Sequence, residues 1–265
     1  MGEASGFVMG YGDNLMATGM AKGAKALGFR VAFGDGKKIL WDHLSEPVFR
    51  GNPNVAVPGE ESAKDIHWTP FYRGNRLYNK EGAGRWIWNY EFRAQPGEMF
   101  LSAFEKKAAL HAGTGHIVIE PNVPTWKHGG QNKVWPVNRY VALAAKLQRE
   151  GHRVIQFVRK NAPPVRPLES VHMTSFRDAC AALANAQLYI GLEGGMHHAA
   201  AALGIPAVVL FGGWIPPEVT GYRTHTNMTG SANACGSWTK CEHCQDAMDR
   251  ISVDEVYSAA RKYLG

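Results

Sequence analysis

Apolar and polar positions along the chain fall into alternating blocks, a strand-sized apolar run followed by a helix-sized amphipathic one. Residues 6–10 predict a short strand, 11–14 its exit turn, 15–27 a helix ending at Gly28, and 29–33 the next strand, so the chain opens β-α-β. A helical turn over 37–44 and an extended stretch over 54–57 are expected to complete a small first sheet. The pattern is helical again over 99–112, with Gly113 to Gly115 as a hinge. A second alternation follows: strand 117–120, a long polar loop to Pro136, helix 138–148, strand 153–158 and helix 175–184. A final helix opens at Ser252, with Asp254 and Glu255 in its first turn, where acids suit the helix dipole. There is no internal repeat of solenoid length.

The most informative stretch is 187–213. An apolar strand over 188–192 runs into Glu193, Gly194 and Gly195, then into a helix that ends at Gly204, and Pro206 opens a second buried strand. Such a β-turn-α-β unit can carry a ligand at its turn. Glycines let backbone amides approach an anion at the positive end of the helix. Glu193 stands at the carboxyl end of an expected parallel strand, where ligands of open α/β sheets bind. An ordinary tight turn would use the same glycines, but an acid and a histidine pair, His197 and His198, at one mouth favour function.

Residues 62–97 have no clean period. Trp68, Phe71, Tyr72, Trp86, Trp88, Tyr90 and Phe92 are interleaved with Arg73, Arg76, Arg85 and Arg93. Such a mixture either plugs a core or forms an acceptor-binding surface, since aromatic–arginine pairs suit sugar rings and bases alike.

A length of 265 residues allows one large or two modest α/β lobes. No apolar run approaches the roughly 20 residues that span a bilayer. The first residues carry no secretory pattern, so a cytoplasmic protein is expected. The formal charge of +6 favours anionic ligands without choosing among nucleotide, lipid phosphate and nucleic acid. Cys180 falls in an apolar helical pattern and is expected in the core. Cys235, Cys241 and Cys244 cluster beside His243; a zinc site, reduced thiols and a local disulfide all remain open.

Four segments, in order, resemble glycosyltransferase family nine, the heptosyltransferase family of the GT-B fold. They are Gly10-Tyr11-Gly12-Asp13-Asn14-Leu15-Met16-Ala17-Thr18, then Asn52-Pro53-Asn54-Val55, then Lys133-Val134-Trp135-Pro136 with Arg139-Tyr140. The fourth runs from Glu193-Gly194-Gly195-Met196-His197-His198-Ala199 to Phe211-Gly212. The resemblance implies an α/β, GT-B-like fold with two Rossmann-like lobes facing a cleft. The first lobe, 1–112, is compact and acceptor-side; the second, 113–265, holds a nucleotide sugar. Three departures stand out. Glu193 replaces the family's usual Asp, and Gly194 its Ser or Thr. Arg159-Lys160-Asn161 follows the strand after which the family often places an acid. The first lobe is also shorter than is typical.

The reaction so implied is inverting transfer of a sugar from a nucleotide-diphosphate donor to an acceptor hydroxyl, with no cofactor and no metal. Asp13 is then the candidate base, although an Asp there also caps a helix well. Lys133 is the candidate diphosphate clamp, with Lys127 in reserve and the amides of Gly194 and Gly195 as further donors. Glu193 would hold sugar hydroxyls, and His198 would order the phosphate loop or touch the diphosphate. His197 is expected to be exposed. Trp68, Arg73, Trp86 and Trp88 are the candidate acceptor residues. The acceptor could be a saccharide, a lipid-linked saccharide or a modified nucleic-acid base. A non-catalytic nucleotide-sugar or nucleic-acid binding relative, and an enzyme that hydrolyses or epimerises nucleotide sugars, are the competing readings.

Overall fold

The apolar runs of the second half assemble into one parallel sheet. A computed structural model describes residues 9–69, 76–122, 129–159 and 164–265. In chain order the elements are α1 (Tyr11–Lys25), β1 (Arg30–Phe33), α2 (Glu46–Phe49), β2 (Ile66–Thr69), β3 (Asn79–Glu81), β4 (Trp86–Trp88), α3 (Ala103–Ala108) and β5 (His116–Glu120). They continue with α4 (Val137–Arg149), β6 (Val154–Val158), β7 (Glu169–His172), α5 (Phe176–Leu183), β8 (Ala186–Leu192) and α6 (Gly195–Leu203). The last are β9 (Ala207–Gly212), α7 (Pro217–Thr220), β10 (Thr226–Thr229), α8 (Glu242–Arg250) and α9 (Val253–Arg261).

The six-stranded sheet has the order β10-β9-β8-β5-β6-β7, and each neighbouring pair is parallel. Its strands alternate between two cores, as the period of two requires. Ile117, Ile119, Leu188, Ile190, Val208 and Leu210 pack with Tyr140, Leu143, Val256 and Ala260 of α4 and α9. Val118, Tyr189, Val209 and Phe211 face the other way, into the core that includes Ala17 of α1, Cys180 of α5 and Ala199 of α6. Cover on both faces explains why β8 and β9 read as nearly unbroken apolar runs. The strand order reverses between β5 and β8, and the loops leaving those two strands therefore diverge around a crevice.

The described part of the first half holds one two-stranded parallel sheet, β1 with β2, to which Val55 adds a single bridge, and the β3–β4 hairpin. Its apolar residues Val31, Phe33, Val48 and Phe49 join the same core as α1, α5 and α6. Arg177 of α5 ties the halves together from a buried position. Its guanidinium donates to Glu105 and to the carbonyls of Pro47 and Phe100, the last two at 2.7 Å each.

Several expected boundaries move, for local reasons. The first helix begins at Tyr11 rather than Leu15, because the Asp13 carboxylate accepts the Gly10 amide at 2.8 Å and closes the first turn earlier. No helix forms over 37–44. Asp35 instead accepts the amides of Lys37 and Lys38, and the chain doubles back so that Ile39 bridges Gly34. The helix expected over 99–112 starts only after Ser102, whose side chain accepts the Glu105 amide, and tightens into a 3₁₀ turn over Ala109–Ala112. Strands β2, β7 and β10 were not expected; they are short edge strands with mixed polarity. Of the strand expected over 6–10, residues 6–8 lie outside the described residues.

Helix α1 meets α6 closely enough that Gly12 matters. A Cβ there would stand 2.6 Å from His198 Cδ2, whereas a Cβ at Gly23 on the same helix would meet nothing within 4 Å. Gly12→Ala is expected to cost about 1–3 kcal/mol through overpacking, and Gly23→Ala to gain about 0.5–1 kcal/mol in helix propensity. Thermal melts of both variants check this. A Gly12→Ala protein as stable as wild type would mean that the two helices are not in tight contact.

Candidate functional site

The reversal of strand order opens onto a cavity of about 560 Å³. Its wall includes Asp13 from α1, Lys133 from the loop after β5, and Glu193 to Met196 and His198 from the β8–α6 turn. The 3₁₀ turn Gly130–Lys133 aims Lys133 across the crevice. Its Nζ pairs with the Glu193 carboxylate, also reaches the Glu193 carbonyl at 3.2 Å, and lies 4.4 Å over the Trp214 ring. The loop lysine is therefore no solvated surface charge. Its side chain and that of Glu193 are 13 % and 6 % exposed.

Glu193 is the electrostatic centre. Burial works against its charge, but Lys133, then the hydrogen bond from His198, outweigh burial and hold its carboxyl well below the usual carboxylate range. His198 is placed from both ends: Nε2 is 3.4 Å from Glu193 Oε1, and Nδ1 is 2.7 Å from the Tyr222 hydroxyl. A carboxylate only accepts. In the neutral imidazole, Nε2 therefore carries the proton and Tyr222 donates to Nδ1. His197, by contrast, is fully buried rather than exposed, with its ring among Phe211, Tyr222 and His225. Its pKa is depressed, by burial first and then by His198 and His225. The reason is that α6 is covered on several sides, so that Met196, His197 and His198 of its first turn are all buried.

The Gly194–Gly195 turn behaves as the sequence suggests, with one difference. Gly194 caps α6 in extended backbone that any residue adopts, and a Cβ there would meet nothing within 4 Å. Glycine at this position leaves space in the cavity; the chain geometry does not demand it. The first amides of α6 have no partner within the helix and face this space with the positive end of its dipole.

Asp13 lines the same cavity from α1. Its Oδ1 accepts from the Tyr78 hydroxyl at 2.6 Å and lies 3.3 Å from Arg76 Nε, while Oδ2 accepts the Gly10 amide. It therefore caps the helix from inside the first turn, with Gly10 at the N-cap position, and it faces the cavity as well. Two hydrogen bonds fill two of about four acceptor positions on the carboxylate, with Arg76 beside it as an ion pair, leaving room for a further donor.

The aromatic–arginine segment divides. Trp86 and Trp88 line the cavity although they are only 9 % and 8 % exposed, so they are wall and core at once. Trp88 meets Trp214 edge-on at 5.4 Å, and Arg76 lies 5.3 Å over Trp86. Trp68 does not line the cavity: on β2, it packs toward Ala32, Ile39 and Ala56. The alternation of a parallel strand turns it to the small sheet's own core. Arg73, Lys127, Lys160 and Asn161 lie outside the described residues.

Of the arginines in that segment, Arg76 does line the cavity, whereas sequence reasoning missed Tyr78, Glu120, Trp214 and Tyr222. Glu120 ends β5 and Trp214 follows β9, both at carboxyl ends of sheet strands, which was a usable signal. Glu120 accepts from the Tyr189 hydroxyl at 2.9 Å and is 4.0 Å from Arg159. Burial raises its pKa, against the lowering by Arg159 and Tyr189. The acid absent after β6 is thus present on the neighbouring strand.

If the Lys133–Glu193 pair organises the site, Lys133→Met should cost about 3–5 kcal/mol by stranding a buried carboxylate. Adding Glu193→Gln should recover most of that stability. The pair's contribution is complete above about pH 4.5 and is lost as the pH falls through the depressed pKa of Glu193. Urea unfolding of the single and double variants across pH measures both effects. A single variant of wild-type stability would show the pair to be incidental.

Comparison with known proteins gives the family and the fold. The sequence model of glycosyltransferase family 9 (heptosyltransferase) matches residues 77–252. No curated protein matches the sequence. A family 9 glycosyl transferase from Veillonella parvula superposes with a TM-score of 0.63 at 13% identity, covering 97% of this chain and 95% of its own. The iron-containing dodecameric glycosyltransferase TibC from enterotoxigenic E. coli gives 0.58 at 14% identity, covering 96% of this chain and 74% of its own. E. coli ADP-heptose heptosyltransferase II gives 0.49 at 18% identity and covers 64% of this chain, which spans only 54% of that enzyme. The fold is the α/β, GT-B-like fold of these structures. On a match that covers well over half of its residues, the chain belongs to glycosyltransferase family 9, the heptosyltransferase family.

Proposed function

We propose that this protein transfers a sugar from a nucleotide-diphosphate donor to an acceptor hydroxyl, with inversion at the anomeric carbon. The observation that carries this reading is one cavity lined both by Asp13 and by the Lys133–Glu193 pair with the amides of α6. The donor belongs to residues 113–265 and the acceptor to residues 1–112. As the acceptor oxygen attacks, its proton passes to Asp13. The bond from the anomeric carbon to the diphosphate breaks, and its electron pair leaves with the diphosphate. Lys133, Gly194 and Gly195 then face the charge that develops. Glu193, fixed as a carboxylate, accepts from sugar hydroxyls, and His198 keeps it in place. Glu120 and Arg159 flank the side of the cavity where the donor's ribose and base would lie.

A saccharide is the acceptor this cavity favours. Trp86 and Trp88 line it, and among the described arginines only Arg76 and Arg159 do so. Arg85 and Arg93, which a nucleic-acid acceptor would call on, do not line it. A binding protein without catalysis would have no need of Asp13, Lys133 and Glu193 together in one cavity.

The test is Asp13→Asn, assayed by nucleotide diphosphate release from a panel of nucleotide sugars with saccharide acceptors. Turnover should fall by about 10²–10⁴-fold with donor affinity nearly unchanged. Normal turnover by the folded variant, with reduced thermal stability, would leave Asp13 as a cap and place the base elsewhere.

A further inference from the structure

Three thiols and an imidazole converge on the far side of the aromatic wall. Cys241 caps α8, His243 and Cys244 lie in its first turn, and Cys235 comes from the preceding loop. Their candidate ligand atoms all lie within 4.8 Å of one another. The Cys235 sulfur is 3.0 Å from that of Cys244 and 3.9 Å from that of Cys241, and Cys244 Sγ is 3.9 Å from His243 Nδ1. These separations bracket the edge of about 3.8 Å expected of a tetrahedron with metal–sulfur bonds near 2.3 Å. All three cysteines are free thiols.

The surroundings match as well. His243 Nε2, the nitrogen turned away from the sulfurs, is 2.8 Å from Ser231 Oγ. A ligating histidine commonly donates its other ring proton to such an oxygen, which fixes the tautomer. The Ser237 amide donates to Cys235 Sγ at 3.4 Å, as amides do toward bound thiolates.

We propose that Cys235, Cys241, His243 and Cys244 bind one thiophilic metal ion, zinc or iron, in a closed tetrahedral site. Binding releases the thiol protons to solvent and involves no change of oxidation state. With four protein ligands and no open position, the ion is structural. What it secures is the loop against which the cavity is built. Gly236 accepts the Trp86 amide at 2.9 Å, Ser237 accepts the Trp214 indole at 2.7 Å, and Asn132 donates to Ser237 and Thr239 at 3.0 and 2.7 Å. Asn132 in turn accepts the Cys241 amide at 2.9 Å and immediately precedes Lys133. The ion therefore positions the clamp lysine and two tryptophans from behind, and its binding is independent of the transferase reading.

The test is elemental analysis of the full chain, purified without metal-affinity steps and kept reduced. About one zinc or iron per chain is expected, and which element is found decides between the two. Cys235→Ser and Cys241→Ser should lose it, while Cys180→Ser should keep it. Chelation of the wild-type protein should lower its melting temperature and alter its near-ultraviolet circular dichroism, since Trp86 and Trp214 lean on the loop. Should the serine variants fail to fold, cobalt added to the metal-free wild type reports directly, through the intense visible bands of tetrahedral thiolate-bound cobalt. Failure of the reduced protein to hold zinc, iron or cobalt would overturn the proposal. So would a Cys235–Cys244 disulfide in protein isolated under reducing conditions.

Discussion

A buried lysine–carboxylate pair at the reversal of strand order is the constraint on which the rest of this site depends. Taking Glu193 out of water carries a large desolvation cost, which a close cation and a nearby imidazole offset. Lys133 supplies the first and His198 the second, so each is fixed by the acid it serves. Because Lys133 leaves the loop after β5 and Glu193 the turn after β8, the pair spans the crevice that the sheet topology opens. The close approach of α1 to α6 at Gly12 then brings Asp13 to the same space.

Across the cavity, aromatic packing carries the same role by different physics. Tyr78 and Trp88 from the β3–β4 segment reach Trp214 after β9, and Trp86 meets Trp238 edge-on at 5.6 Å. Residues distant in sequence thus form one wall. A wall of this kind transmits position: a shift of the loop bearing Ser237 would move Trp214, and with it the surface on which Lys133 rests.

The second half of the chain was legible because its elements are long, apolar and governed by a simple period. Strands β5, β8 and β9 and helix α6 fall within two residues of their expected bounds, since buried parallel strands and a glycine-capped helix leave few alternatives. The candidate donor residues Lys133, Glu193, Gly194, Gly195 and His198 do meet in one cavity. The first half was harder to read. Its strands are three or four residues long, and whether Trp68 or Trp86 faces the cavity depends on a strand register that no local pattern specifies. His197 was misplaced because neighbouring residues on a helix point about 100° apart, and here Phe211, Tyr222 and His225, all later in the chain, cover its side of the helix as well. Tyr222 acts through His198, 24 residues away, and such a pairing leaves no mark on local sequence.

The most direct measurement is a crystal structure with uridine, adenosine, guanosine or cytidine diphosphate bound. The diphosphate should lie against the first amides of α6 with Lys133 Nζ in hydrogen-bond reach, and the nucleoside should extend toward Glu120 and Arg159. A diphosphate seated on the first half of the chain, or a Lys133 that stays on Glu193 without touching it, would contradict the account.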